Sequence, residues 1–397
     1  SIPTFSTFSG PKAKTFRGGK ELGRLLLAEE DIDVVVSIHM PIWKLDKETI
    51  KKFTFYWATL MTGADSLFEL NKILAKNPEP NSREIFFAYS QDWLDTAKEY
   101  LRRFHPKHAD FFDKNVKCKI IGNPEFDVFK SIDKDKVRQK YKIPKDKSIV
   151  LYLPFPYDNR AVNSAWERAF CGLLINTAQS KDGAYLHDKK KTLLANLQEK
   201  AYCLYQIAKD PSARRYWLGG MNEAKVFNAI RKFADKNNFY LVSKPRVKFP
   251  ASEIVKEKSD LIIWDTEKQQ DPPILKELVS IAKLTISFLS SSVLTSLAGG
   301  VSHLNIELPD VFFVNSRHEF LFSSDCGSQF NFAGVCQSLS IEEVIDNFKN
   351  YSIDDFSVDE QKYRQYLDKY IGFGDCNSSE RLFDELGELV GQYERKI

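Results

Sequence analysis

Thr285-Ile286-Ser287-Phe288-Leu289-Ser290-Ser291-Ser292-Val293-Leu294-Thr295-Ser296-Leu297-Ala298-Gly299-Gly300 changes texture twice. A buried-type apolar run stops at three consecutive hydroxyl residues. These give way to an apolar helical stretch closed by a glycine pair. A strand, a turn and a helix in that order form the building unit of a parallel α/β sheet, and the same alternation recurs along the chain. Working outward, the apolar and β-branched runs at 148–153, 239–243, 261–264 and 284–288 read as strands of one sheet, with a helix over 274–282. In the first half the runs at 33–38, 84–89 and 117–121 read the same way, with helices between them.

The chain has 397 residues, too many for one ordinary core, and two halves of roughly 200 suit two domains. Between 121 and 149 the texture turns polar and rich in Lys and Asp, which places the linker there. The expected division is therefore an N-terminal domain over 1–135, with the C-terminal helix packing back on it, and a C-terminal domain over 136–397. A long charged helical insertion around 166–217 interrupts the second domain. The fold class is α/β, with two Rossmann-like parallel-sheet domains.

Fifty-seven Lys and Arg nearly balance 54 Asp and Glu, and no basic block stands out, so a nucleic-acid partner is not expected. Six scattered cysteines without a CxxC pair fit a reducing, cytoplasmic setting. There is no apolar run of transmembrane length and no apolar signal-peptide core at the start, so any membrane contact is expected to be peripheral. The Lys189-Lys190-Lys191 run could touch acidic headgroups or simply be a solvated helix face.

Ligands of open parallel sheets sit beyond the carboxyl ends of the strands, so the loops that follow strands are where a site is expected. Ser290, Ser291 and Ser292 could offer hydroxyls and backbone N–H groups to a phosphate or diphosphate; ordinary capping of the helix explains the same residues. Lys244-Pro245-Arg246-Val247-Lys248 follows another strand and could neutralise a leaving diphosphate, or be a solvated basic loop. Arg160 lies in the proline-rich loop after 148–153. No HExxH, GxSxG, Walker loop or GxGxxG after a strand occurs, and the two DxD triplets do not follow strands. Neither a metal nor a cofactor is expected.

In order, IIGNPEFD at 120–127, a charged helix, the strand ending at Pro154, SKPR at 243–246, SFLSSSVLTSLAGG at 287–300 and KYIGFGDCNSSERLFDEL at 369–386 resemble the CDP-glycerol glycerophosphotransferase and surface-carbohydrate-biosynthesis family. That resemblance implies the GT-B architecture, two Rossmann-like domains facing each other across a cleft, and a nucleotide-sugar-dependent glycosyltransferase. The chain departs from the family pattern at three places. Tyr56 to Asp65 lacks the histidine of a WHG-like segment, Arg246 stands where the family has His, and Thr295 and Ser296 stand where many GT-B enzymes carry a ribose-binding Glu. Asp65 becomes the expected general base and His39 the runner-up, with a helix cap as the alternative for Asp65.

The expected activity is transfer of a sugar from a nucleotide-sugar donor to a glycan or lipid-linked acceptor. Arg160, Lys244, Arg246, Ser290, Ser291 and Ser292 would grip the donor's phosphates. A CDP-alditol phosphotransferase or a non-hydrolysing nucleotide-sugar epimerase would use the same fold. A non-catalytic glycan-binding protein is the reading of another class.

Overall fold

The computed structural model describes residues 26–28, 32–38, 47–52, 56–61, 83–115, 117–154, 208, 223–245, 251–264, 273–307 and 323–394. The chain forms two compact units, residues 1–127 with 367–397, and residues 128–366.

The first unit holds a parallel sheet in the order β1 (Val34–Ile38), β2 (Tyr56–Met61), β3 (Glu84–Ala88), β4 (Lys117–Ile120). Alternate side chains of a strand point to opposite faces, and here each face has its own cover. Ala58, Leu60, Ile85 and Phe87 pack with Leu382, Leu386 and Leu389 of the C-terminal helix Ser378–Glu394. On the other face Phe86 meets Phe111 and Phe112 edge-to-face at 6.1 and 5.9 Å, and Trp93 of the helix Gln91–Phe104 joins Phe112. Ser90 caps that helix by accepting from Trp93 N at 3.1 Å.

The second unit is a six-stranded parallel sheet in the order β10-β9-β8-β5-β6-β7. Its strands are β5 (Ser148–Leu153), β6 (Phe239–Ser243), β7 (Leu261–Ile262), β8 (Leu284–Phe288), β9 (Ser302–Ile306) and β10 (Cys336–Leu339). Counted within the unit this is the Rossmann order, with the reversal between its first strand, β5, and its fourth, β8. Val150, Tyr152, Leu241, Leu284, Ile286, Phe288, Leu304 and Ile306 pack under the helix Glu223–Lys236. Ile149, Leu151 and Val242 pack under the helix Ile274–Ile281 on the other side.

Three strands depart from the sequence reading. Tyr56–Met61, which the sequence marks only as a motif segment, is the interior strand β2, and its last five residues are all buried. The sequence marks neither β9 nor β10, because SHLNI and CQSL lack the apolar run of a buried strand. The stretch read as a polar linker also carries core: Val137 of the helix Lys134–Lys140 and Ile143 are buried in the second unit. Asp133, from one of the DxD triplets, caps that helix through Asp135 N and Lys136 N.

Candidate functional site

The strand order reverses between β5 and β8, and in open parallel sheets such a reversal is the place where ligands bind, outside the carboxyl ends of the strands. Among the described residues, the helix Glu223–Lys236 after β5 packs on one face of the sheet, and the helix Ile274–Ile281, which precedes β8, packs on the other. The register puts Leu153 beside Ser287 and Tyr152 beside Ser243. The ends of β8, β5 and β6 are therefore neighbours along one edge. Leu289-Ser290-Ser291, Pro154 and Lys244-Pro245 issue from adjacent strands.

Of the residues expected to bind a donor, the structure brings Lys244, Ser290, Ser291 and Ser292 to this edge. Lys244 is not a solvated loop cation: it is buried, and its N–H donates to Tyr152 O at 2.9 Å, tying the end of β6 to β5. The three serines, alike in sequence, have three different environments. Ser291 is exposed. Ser290 Oγ accepts from Ser292 N at 3.3 Å, at the start of the short helix Ser292–Ala298, whose N-cap position is Ser291. Ser292 is buried, and its hydroxyl donates to Ser287 Oγ at 3.2 Å, so the expected hydroxyl contact to a ligand from Ser292 is already spent inside the protein. Arg160 and Arg246 lie outside the described residues, as do the expected bases His39 and Asp65. The strands before those two end at Ile38 and Met61.

Beneath the serine turn lies a polar cluster that the sequence reading missed. Thr285 and Ser287 share one face of β8, and His303 stands opposite Thr285 on β9. His303 Nδ1 lies 2.7 Å from Thr285 Oγ1 and 3.2 Å from Ser296 Oγ, and Nε2 lies 3.1 Å from Ser287 Oγ. Thr285 Oγ1 donates to Ser296 Oγ at 2.7 Å, and Ser296 Oγ donates to Ser292 O at 2.8 Å. Burial holds the imidazole well below its ordinary range, at about 3, so the ring is neutral. A histidine inside a strand was the one available signal, visible only once Ser302–Ile306 is known to be a strand.

Glu223 is the second missed residue. It opens the helix that follows β5 in the described chain, and Tyr152 Oη donates to its Oε1 at 3.4 Å. Burial pushes its carboxyl up to about 7, against the Ser252 and Tyr152 hydroxyls, which pull it down. A glutamate in a helix's first turn reads in sequence as an ordinary partner of the helix dipole.

The chain matches no protein-family model and none of the curated proteins. Among solved structures it is similar to a variant of the wall teichoic acid polymerase TagF. The identity is 12% over 91% of this chain and 74% of that one, with a TM-score of 0.50. It is also similar to UGT89C1 of Arabidopsis thaliana complexed with UDP-L-rhamnose, at 11% identity over 93% of this chain and 78% of that one, with a TM-score of 0.42. The likeness to TagF speaks for the fold alone. Together with the two parallel sheets it shows the α/β class with two Rossmann-like units, as in GT-B glycosyltransferases.

Proposed function

We propose that this chain is a transferase that moves a sugar from a nucleotide-activated donor to a glycan or lipid-linked acceptor. The observation that carries the reading is the strand-order reversal between β5 and β8, with the serine turn and Lys244 at the same sheet edge. The exposed Ser291 and the cations Lys244, Arg246 and Arg160 would hold the donor's phosphates and supply the positive charge that a leaving diphosphate needs without a metal. Asp65, with His39 as the alternative, would take the proton of the acceptor hydroxyl as that oxygen bonds to the anomeric carbon. The nucleoside diphosphate then leaves with the electron pair of the broken bond.

A thermal-shift series with UDP, GDP, CDP and CMP tests the reading. One nucleotide is expected to raise the melting temperature, because a ligand at about 100 times its Kd stabilises the folded state by roughly 2.7 kcal/mol. Ser291→Ala and Arg246→Ala should each diminish that shift. If no nucleotide shifts the transition, the donor site is wrong and a glycan-binding protein is the better reading. The resemblance of IIGNPEFD and SFLSSSVLTSLAGG to the CDP-glycerol glycerophosphotransferase family favours, as second reading, an alditol phosphate carried on a cytidine nucleotide, and a response to CDP and CMP alone would select it. Nucleotide release that depends on an added acceptor separates transfer from epimerisation.

A further inference from the structure

The direction of every hydrogen bond under the serine turn follows from one atom that can only accept. Ser292 O is a backbone carbonyl, so the Ser296 hydroxyl donates to it. Ser296 Oγ, its proton committed, accepts from Thr285 Oγ1. The Ser302 carbonyl, 3.2 Å from the same Thr285 oxygen, is also an acceptor and leads to the same result. With the Thr285 proton spent, the 2.7 Å contact to His303 Nδ1 requires the imidazole to donate. A neutral ring protonated at Nδ1 has a bare Nε2, so Ser287 donates into it. Ser287 Oγ in turn accepts from the Ser292 hydroxyl. The path that leaves Ser292 by its hydroxyl returns to it by its carbonyl.

We propose that His303, as the neutral Nδ1–H tautomer, is the positioning residue of the serine turn: it closes a one-way hydrogen-bond circuit that clamps Ser292 by side chain and carbonyl and thereby sets Ser290 and Ser291 at the carboxyl edge of β8. The proposal rests on the reading that this turn contacts the donor's phosphates. An imidazole suits the place because it carries a donor and an acceptor on opposite edges of a rigid ring. It can therefore span Thr285 and Ser287, two positions apart on one strand face. Protonation would put a second donor against Ser287 and leave a hydroxyl proton of the circuit without an acceptor. Burial of all five side chains keeps water from offering one.

Long-range 15N–1H NMR of histidine-labelled protein tests the tautomer, with His303→Gln assigning the signal. The neutral Nδ1–H pattern is expected at about pH 8 and still at about pH 5. An Nε2–H pattern, or protonation in the ordinary histidine range, overturns the circuit. Thr285→Val removes one link at nearly constant shape. Hydrogen exchange of the Ser292 and Val293 amides, which bond to Ser290, should then quicken roughly tenfold, as expected for one lost buried hydrogen bond. Thr285→Ser should restore the wild-type rate. Unchanged exchange refutes the clamp, as does a failure of Thr285→Ser to restore it should Thr285→Val not fold. The Kd of whichever nucleotide binds should rise about tenfold in Thr285→Val. Faster exchange with unchanged affinity refutes the link to the ligand. If the wild-type protein binds no nucleotide, the proposed function falls, while tautomer and exchange still decide the clamp.

Discussion

Glu223 has almost no contact with water, and its carboxyl is pushed from 4.5 to about 7 by that burial. Because the folded-state value lies above the unfolded one, the native protein binds this proton more tightly than the unfolded chain does. The contribution to stability is fully present below about pH 4.5 and is lost as pH rises toward about 7, amounting to about 3 kcal/mol. Glu223→Gln keeps the shape and removes the titration. Denaturant unfolding between about pH 4 and pH 8 should show the wild-type protein losing about 3 kcal/mol relative to the variant. Parallel pH profiles would refute the assignment. Neither Glu223 nor His303 was legible as a special residue, and the reason is the same for both. Their chemistry comes from partners distant in sequence: Tyr152 for the acid, Thr285 and Ser287 for the imidazole. The serine turn was legible because its hydroxyls are consecutive. That only Ser291 stays exposed could not be read, since where the helix starts decides it.

IIGNPEFD and the tail KYIGFGDCNSSERLFDEL, far apart in the chain, meet in the first unit. Asp127 accepts from Ser378 N at 3.1 Å and from Ser379 N at 2.5 Å, capping the C-terminal helix from outside its own segment. Arg381 Nε donates to Ile121 O at 2.8 Å, and a Cβ on Gly122, at φ +84°, would stand 2.3 Å from Ser378 Oγ. On the tail side a Cβ on Gly372, at φ +92°, would lie 1.9 Å from the Tyr89 carbonyl oxygen, a backbone atom with little room to move. Two of the segments that carry the family resemblance are thus a dock and its helix, which accounts for their occurring together without giving either a catalytic part. Asp127→Ala should cost about 1 kcal/mol in denaturant unfolding, and Asp127→Asn, which still caps, much less. No loss in Asp127→Ala would mean that the cap contributes nothing, and an equal loss in Asp127→Asn that its hydrogen bonds are not what stabilises the dock. Strand legibility divides on similar grounds. β5 and β8 declare themselves in IVLYL and LTISF, whereas the buried polar residues of β9 are made tolerable by partners elsewhere, as when Asn305 donates to Ser338 Oγ at 2.7 Å across to β10.

The chain enters the second unit after Asp127 and leaves it after Tyr366, so the first unit is completed by residues that follow the second in sequence. Each unit has its own core. The second is closed on both sheet faces by segments lying between 128 and 366, while one face of the first is covered by Leu382, Leu386 and Leu389. Leu389 is buried and Leu382 and Leu386 are half-buried; fully burying one leucine side chain contributes about 1.5–3 kcal/mol, so losing this face removes a large share of the roughly 5–15 kcal/mol that stabilises an ordinary domain. Ending the chain at Tyr366 should therefore leave the second unit with its own calorimetric transition and any nucleotide-induced rise in melting temperature. The same cut should abolish the first unit's transition, with Trp57 and Trp93, both buried there, acquiring the fluorescence of exposed indoles. Were the shortened chain to keep native emission from both tryptophans, the C-terminal helix would be an accessory to the first sheet and not part of its core. Were the nucleotide response lost along with the helix, the donor site would depend on more than the edge of the second sheet.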